Sequence, residues 1–172
     1  MSSWQTSSNT VPIPQSTILG IHSDRLGTAY YHDGHAWITV TRNGITTHYG
    51  LWPDSNPRTK DNGPGNDIRI GLEAQRHPKA SRYYQVSSEQ ADRLEGLLRN
   101  NVTWWLTQNC SSWASGIIFR VVGEDVDADD LMGFETPREL GRNILLLEAK
   151  DPTTFQNPKD LSKKNADSAS NK

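Results

Sequence analysis

The single cysteine of this chain, Cys110, stands where a reactive thiol is easiest to form. Asn109 is a good helix N-cap, so Cys110 is expected in the first turn of a helix that runs to about Val121. At that end of a helix, unpaired N–H groups and the helix dipole favour thiolate over thiol. The same N–H groups can hold the oxyanion of a tetrahedral intermediate. The position therefore predicts a cysteine nucleophile.

A nucleophilic cysteine needs a base, which is normally a histidine. Among the five histidines, His35 opens the clearest strand of the sequence and is the leading candidate. His48 lies across the predicted hairpin and could orient His35 as the third catalytic residue; a nearby Asp, Asn or backbone carbonyl could do so instead. His22, His32 and His77 are expected on loops, with His32 close enough to His35 to be the alternative base.

The side chains around these groups supply candidates for substrate binding. Trp37 follows His35 on its strand, and Trp52 belongs to a long Pro-, Gly- and Asn-rich loop predicted over Gly50–Asp67. Asn109 and Ser111 flank the cysteine. We expect these four residues to contact substrate, with Arg58 of the loop and the region 76–84 as further walls of a groove.

Three other motifs carry less chemistry. The acidic run 125–130 imitates a calcium loop, but Asp130 occupies the position that needs Gly and Thr136 the position that needs a bidentate Glu. The stretch 63–65 is too short for a phosphate loop. Trp104 and Trp105 are expected to be core or hydrophobic-staple residues and not to bind a ligand. No metal and no cofactor are predicted.

The elements that must position the cysteine and the histidine follow from periodicity. Ala36, Ile38 and Val40 alternate along one strand, and the following Asn43 and Gly44 form a hairpin turn. The predicted strands are 17–21, 35–41, 45–49, 68–72 and 83–86. Three helices follow: one from a capping box at Ser87 to about residue 100, one from Cys110, and one that opens at Thr136. Strands followed by helices indicate an α+β fold with a small antiparallel sheet packed against helices.

Composition bounds the class of protein. The 172 residues include 18 basic and 20 acidic side chains, and the formal charge of -2 with a pI of about 6.2 argues against a nucleic-acid binder. No apolar run is long enough to span a membrane, and the polar segment Met1–Gln15 does not read as a signal peptide. Both Met1–Gln15 and Asp151–Lys172 are polar enough to be predicted as disordered, which leaves 16–150 as the folded domain.

Taken in order, three motifs resemble a known arrangement: the strand that begins with His35, the second histidine thirteen residues later, and the downstream Asn109-Cys110-Ser-Ser-Trp-Ala segment. The chain is similar here to circularly permuted papain-like cysteine hydrolases, a group that includes permuted NlpC-type cell-wall peptidases and the lecithin:retinol acyltransferase family. The resemblance implies Cys110 as nucleophile, His35 as general base and His48 as the third polar residue.

The resemblance also implies a substrate and a setting. A small domain of this kind is similar to type VI secretion amidases, which are antibacterial effectors that cleave amide bonds in peptidoglycan peptides. It implies synthesis in the cytoplasm without a signal peptide, export by a secretion-apparatus carrier to the periplasm of a target cell, and an immunity protein in the producer. The Ser-Ser-Trp that follows Cys110 departs from the acyltransferase branch.

Two alternatives remain open at this point. A thioesterase, acyltransferase or protease of the same fold could act on a lipid or a protein. In a non-catalytic binding module, Cys110 would be a small buried hydrophobe and the histidines would be ordinary surface residues.

Overall fold

One six-stranded sheet with three helices packed against it forms the protein, in a computed structural model that describes residues 16–26, 34–59, 65–128 and 135–162. The strand order is β4-β3-β2-β1-β5-β6. The strands are β1 (Thr17–Ser23), β2 (Ala36–Arg42), β3 (Ile45–Leu51), β4 (Ile68–Ile70), β5 (Ala80–Val86) and β6 (Lys159–Asp160). The helices are α1 (Ser88–Leu98), α2 (Cys110–Val122) and α3 (Pro137–Lys150). The predicted α+β class is confirmed. The sheet is mixed rather than wholly antiparallel, because β6 runs parallel to β5.

The β2–β3 hairpin forms as its sequence predicts. Asn43 and Gly44 take φ values of 53° and 75°, the left-handed conformations that a tight hairpin turn requires. Trp37 pairs with Gly50 and Thr39 with His48, so these residues share one face of the sheet. Because successive side chains of a strand alternate, Ile38 and Val40 lie on one side of the hairpin and Trp37 and Thr39 on the other.

The core lies between that apolar face and the helices. Ile38 and Val40 of β2 and Leu19 of β1 are buried there against Ala114 and Ile117 of α2. The residues that alternate with them along β2 (Trp37, Thr39 and Thr41) face the other side, which we call the outer face. Helix α2 therefore lies against the strand that His35 precedes, with its N-terminus free to approach that end of the sheet.

All three predicted helix starts are confirmed. Ser87 and Gln90 form the complete capping box of α1. Asn109 caps α2. Thr136 caps α3 by accepting a hydrogen bond from the Glu139 N–H, with Pro137 at the first helical position.

Several predicted boundaries are wrong. Strand β1 continues to Ser23, so His22 is a buried strand residue and not a loop residue. Strand β3 includes Gly50 and Leu51, and the loop begins after them. Strand β4 ends at Ile70, before Leu72. Membership of a strand depends on a paired neighbour, which local periodicity does not report.

The folded region does not end at residue 150 as predicted. Thr153 and Leu161 are buried, and Lys159 and Asp160 add strand β6 beside β5. Prediction failed here because the anchoring is mostly polar. The fully buried Arg82 of β5 donates hydrogen bonds to Glu124, to Glu148 and to the backbone oxygen of Asp151. The predicted disordered segments 1–15 and 163–172 lie outside the described residues. Within the part that is described, no helix has the length and apolarity needed to cross a bilayer.

Candidate active site

Cys110 is the first residue of α2, and the helix end that carries it is fixed by the Asn109 cap. The Asn109 side-chain oxygen accepts hydrogen bonds from Ser111 N (2.8 Å) and Ser112 N (3.3 Å), and the Asn109 side-chain NH₂ donates to the Glu135 carbonyl (2.7 Å). The cap therefore uses the second and third amides of the helix. The N–H of Cys110, which comes first, has no partner within the helix and lies beside the thiol.

His35 meets this helix end from the sheet. Its backbone N–H donates to Asp24 Oδ1 (2.7 Å), which fixes the chain where it enters β2. The imidazole and the Cys110 thiol line the same cavity, and each lies close enough to shift the pKa of the other. Since Nε2 of the ring lies 2.8 Å from a Glu73 oxygen, Nδ1 is the nitrogen that remains for Cys110. The structure thus brings together the two residues predicted as nucleophile and base.

Glu73 completes the arrangement from the turn that follows β4. Its side chain is fully buried, and Oε1 accepts hydrogen bonds from His35 Nε2 (2.8 Å) and from Trp52 Nε1 (2.5 Å). The Trp52 ring also lies against the His35 ring, with centroids 3.9 Å apart. One carboxylate oxygen and one indole therefore fix both the tautomer and the tilt of the imidazole.

Gly50 leaves the space that this contact needs. A Cβ atom at Gly50 would lie 1.9 Å from Glu73 Oε1 and 2.7 Å from His35 Nε2. Both distances are far inside van der Waals contact. Any other residue at this position of β3 would displace the carboxylate or the imidazole.

The electrostatics of the pair favour its ionised form. Burial alone raises the pKa of the Cys110 thiol, but the charge of His35 and hydrogen bonds from His35, the Ala36 N–H and Ser111 outweigh burial, so the pKa is lowered. Burial alone lowers the pKa of His35, but the charge and hydrogen bond of Cys110 and the contact with Glu73 outweigh it, so this pKa is raised. Both shifts act in the direction of a thiolate beside an imidazolium.

Cys110 and His35 line one cavity of about 220 Å³, which we call the thiol cavity. Its walls include Trp52, Trp104 and Leu106, and Asn109 lies at the base of α2. Cys110 is a buried residue, 8% exposed, and the part of it that is accessible belongs to this cavity wall. In this arrangement the Cys110 thiol can form a covalent bond that is later broken, with the His35 ring nearby as proton donor.

The structure does not place His48 with this pair. Thr39 and His48 are paired across β2 and β3, and both line a second cavity of about 290 Å³ on the outer face. This outer cavity is also lined by His22, Trp37, Tyr83 and Phe155. Among the described residues, the side chain that hydrogen-bonds the second ring nitrogen of His35 is Glu73 and not His48, which was expected to orient the ring.

Two of the four predicted substrate-contacting residues line the thiol cavity, and two do not. Trp52 and Asn109 line the thiol cavity, although both also support the catalytic groups. Ser111 is fully buried, with its hydroxyl 4.0 Å from the Cys110 sulfur, so it supports the thiol and cannot reach a substrate. Trp37 is 1% exposed and lines the outer cavity instead.

Sequence reasoning missed Glu73. It lies 38 positions after His35 in a stretch of turns, and no local pattern distinguishes it from the other acidic residues. The only available signal is its place between Leu72 and Ala74, an acidic residue with apolar neighbours. The pairing of β4 with β3 brings this turn to the His35 end of the sheet.

The remaining predictions have mixed outcomes. His77 is an exposed loop residue as predicted. His32 and residues 129–130 of the acidic run lie outside the described residues, as do residues 63 and 64. Trp104 packs against the core as predicted, but Trp105 is 64% exposed. Within the described ranges, no group of three His, Cys, Asp or Glu side chains could hold a metal ion.

Comparison of the chain with protein-family models, with curated proteins and with solved structures finds no match.

Proposed function

We propose that this protein is a cysteine hydrolase that cleaves an amide bond, with Cys110 as nucleophile, His35 as acid and base, and Glu73 as the residue that positions His35. The observation that carries the proposal is that Cys110 and His35 line one cavity while Nε2 of His35 is hydrogen-bonded to the buried Glu73 carboxylate. A buried cysteine that only filled space would need neither an imidazole nor a second partner for that imidazole.

The steps follow from the geometry. The Cys110 thiolate attacks the substrate carbonyl carbon, and the carbonyl π electrons move to oxygen, where the Cys110 N–H can stabilise them. His35 Nδ1–H then donates its proton to the amide nitrogen as the C–N bond breaks, and the amine leaves. Water attacks the resulting thioester while Nδ1 accepts its proton. The C–S bond then breaks, the product acid leaves, and the Cys110 thiolate is regenerated.

Glu73 acts through His35 and does not touch the substrate. Its carboxylate holds Nε2–H, which keeps Nδ1 directed at the sulfur and stabilises the imidazolium that donates the proton. Trp52 holds the same oxygen and covers the imidazole, so the ring cannot rotate away from Cys110.

For the substrate we propose the peptide of peptidoglycan, with the protein acting as an antibacterial effector that an immunity protein neutralises in the producer. The resemblance to permuted papain-like peptidases motivates this choice. The thiol cavity is compatible with a peptide, since it combines apolar surface from Trp104 and Leu106 with polar groups from Asn56 and Thr136. The direct test is digestion of purified sacculi with the wild type and with Cys110→Ala, followed by mass spectrometry of released fragments.

In that test we expect new amine termini from the wild type and none from Cys110→Ala, while His77→Ala, an exposed histidine outside both cavities, should match the wild type. Equal release by Cys110→Ala would refute the nucleophile. If Cys110 is reactive but no peptidoglycan fragments are released, the peptidoglycan substrate is refuted and the cysteine nucleophile is not.

One observation favours a second substrate class. Trp105 and Leu106 are each 64% exposed, directly before the helix that carries Cys110, and Leu106 lines the thiol cavity. Exposed apolar side chains at a cavity rim suit an acyl chain. Thioester and ester substrates with long acyl chains should therefore be assayed beside sacculi.

A further inference from the structure

The outer cavity is separate from the thiol cavity and takes no part in the proposed hydrolysis, but it too is lined by aromatic and hydroxyl side chains in fixed contacts. It opens on the face of the sheet opposite the helices and has a volume of about 290 Å³. It has room for about ten water molecules at ~30 Å³ each, which is the size of a single ring with substituents.

Aromatic rings form its wall. The Trp37 ring stacks on His22 with centroids 5.3 Å apart, and Tyr83 meets His22 edge-on at 5.6 Å. Phe155, from the segment after α3, meets Tyr83 edge-on at 6.1 Å and is 38% exposed. Rings held in this way offer a rigid apolar surface at the cavity mouth.

Hydroxyl groups form its floor. Thr39 Oγ1 lies 2.8 Å from His22 Nε2, and Thr41 Oγ1 lies 2.8 Å from Thr46 Oγ1. Gly20 leaves the room for the first pair, because a Cβ there would lie 2.4 Å from Thr39 Oγ1. A row of threonine hydroxyls can both donate and accept hydrogen bonds.

Buried donors without acceptors surround this floor. The indole N–H of Trp37, a residue that is 1% exposed, has no acceptor among the described residues, and neither does Nε of Arg76. His48 Nδ1, which donates or accepts according to the ring tautomer, is likewise buried without a partner in the described part of the chain. A buried donor left unpaired costs free energy, so such groups point to a ligand rich in acceptor oxygens.

In the described part of the chain, the lining of the outer cavity offers no unpaired charge that would bind an ionic ligand. Arg76 is the only charged side chain among the described residues that line it, and Asp24 already pairs with that guanidinium. No carboxylate of the described chain faces the cavity to attract a cation. The matching ligand is neutral, has an apolar face for the rings and carries oxygens at its edge.

We propose that the outer cavity binds a neutral sugar ring, whose C–H face packs on the aromatic wall and whose hydroxyl and carbonyl oxygens accept from the buried donors. Trp37 connects this cavity with the catalytic group, since its ring also stacks with that of His35, at 6.1 Å. The sugar would then be a residue of the glycan strand that carries the scissile peptide, an extension that rests on the proposed function.

The test titrates Cys110→Ala with a β-1,4-linked N-acetylglucosamine trimer and follows the indole N–H signals by NMR, with Trp37 assigned through Trp37→Phe. Using Cys110→Ala separates binding from any turnover. We expect the Trp37 signal to shift and saturate below about 20 mM, since a single ring in one pocket binds in the millimolar range. Phe155→Ala should weaken binding about tenfold.

Phe119→Ala is the matched control, because Phe119 is also 38% exposed but lies on α2, outside both cavities. It should leave the saccharide affinity unchanged. The proposal is overturned if the Trp37 signal does not move, if only the Trp52 signal moves, or if both phenylalanine variants lose affinity equally. Saturation by a stem peptide without sugar, and not by the trimer, would also overturn it and assign the cavity to a peptide.

Discussion

The ionised state of Cys110 can be tested without knowing any substrate. Cys110 is the only cysteine of the chain, so alkylation by iodoacetamide yields one adduct that reports one thiol. An ordinary thiol with a pKa near 8.5 is only ~0.3% ionised at about pH 6. Because the pKa of Cys110 is lowered, more of its thiol is ionised there, and full ionisation would make it react up to ~300-fold faster than an ordinary thiol.

Two substitutions remove the support for the thiolate in steps. His35→Ala deletes the cation and leaves burial, which raises the thiol pKa, so alkylation at pH 6 should lose most of that ~300-fold advantage. Glu73→Gln keeps the size of the side chain but replaces a charge-assisted hydrogen bond at 2.8 Å with a neutral one. That exchange costs ~1.5 kcal/mol of support for the imidazolium, or about a tenfold slower reaction.

The assay is the pseudo-first-order rate of adduct formation by intact-protein mass spectrometry, measured on folded protein. Glu89→Gln is the matched control, since Glu89 is exposed on α1 and should leave the rate unchanged. Far-UV circular dichroism and a urea midpoint for each variant separate lost ionisation from lost folding. The reasoning is refuted if the wild type reacts only as it unfolds, or if His35→Ala reacts as fast as the wild type at pH 6.

The pH dependence of hydrolysis follows from the same pair. Because the pKa of Cys110 is lowered, activity should rise as pH increases through that value and the thiolate forms. Because the pKa of His35 is raised, activity should fall only as pH increases through that higher value and the proton for the leaving amine is lost. A profile of kcat/KM against pH measures both limbs. A single rise at the pKa of an ordinary thiol would contradict the ion pair.

Three further predictions concern other residues. Gly50→Ala should abolish hydrolysis because the new Cβ would displace the Glu73 carboxylate. Gly96→Ala is its control on α1, where a Cβ meets open space. It should keep the activity and raise the free energy of unfolding in urea by about 0.5–1 kcal/mol. His22 is buried with its pKa lowered to about 3, so its proton binds only to the unfolded chain between pH 6.5 and 3, and stability falls as pH drops through that window. Unfolding at pH 7 and pH 4.5 should show a loss of ~2.5 kcal/mol that His22→Gln does not show. Among the described residues, Arg82→Met leaves Glu148 without an ion-pair partner and Glu124 with Lys159 alone, and it should cost roughly 3 kcal/mol in urea unfolding, with Arg82→Lys costing less. No change would contradict the anchoring role of Arg82.

The sequence predicted best what depends on near neighbours. The cap at Asn109, the capping box at Ser87 and the Asn43-Gly44 turn each depend on residues within three or four positions. These local features sufficed to place Cys110 at a helix start and His35 at a strand start. They could not show that the two would touch, which depends on how α2 packs across the sheet.

What sequence reasoning missed depends on distant pairing. His48 was predicted to orient His35 because both flank one hairpin, but strand alternation directs it into the outer cavity. Glu73 reaches His35 only because β4 returns beside β3 and brings its following turn to that end of the sheet. Likewise, Leu161 is a single apolar residue in a polar segment, and its burial depends on the register of β6 with β5.

The short outermost strands have a consequence for how copies of the protein behave in solution. A long bare strand at a sheet margin is a template on which another chain can add, and β4 and β6 close this sheet with only three and two residues. The Thr153 hydroxyl, which accepts from the Tyr83 N–H, covers β5 further along. A chain shortened to end at residue 150 would uncover the seven-residue β5, and loss of solubility would then precede loss of any chemistry.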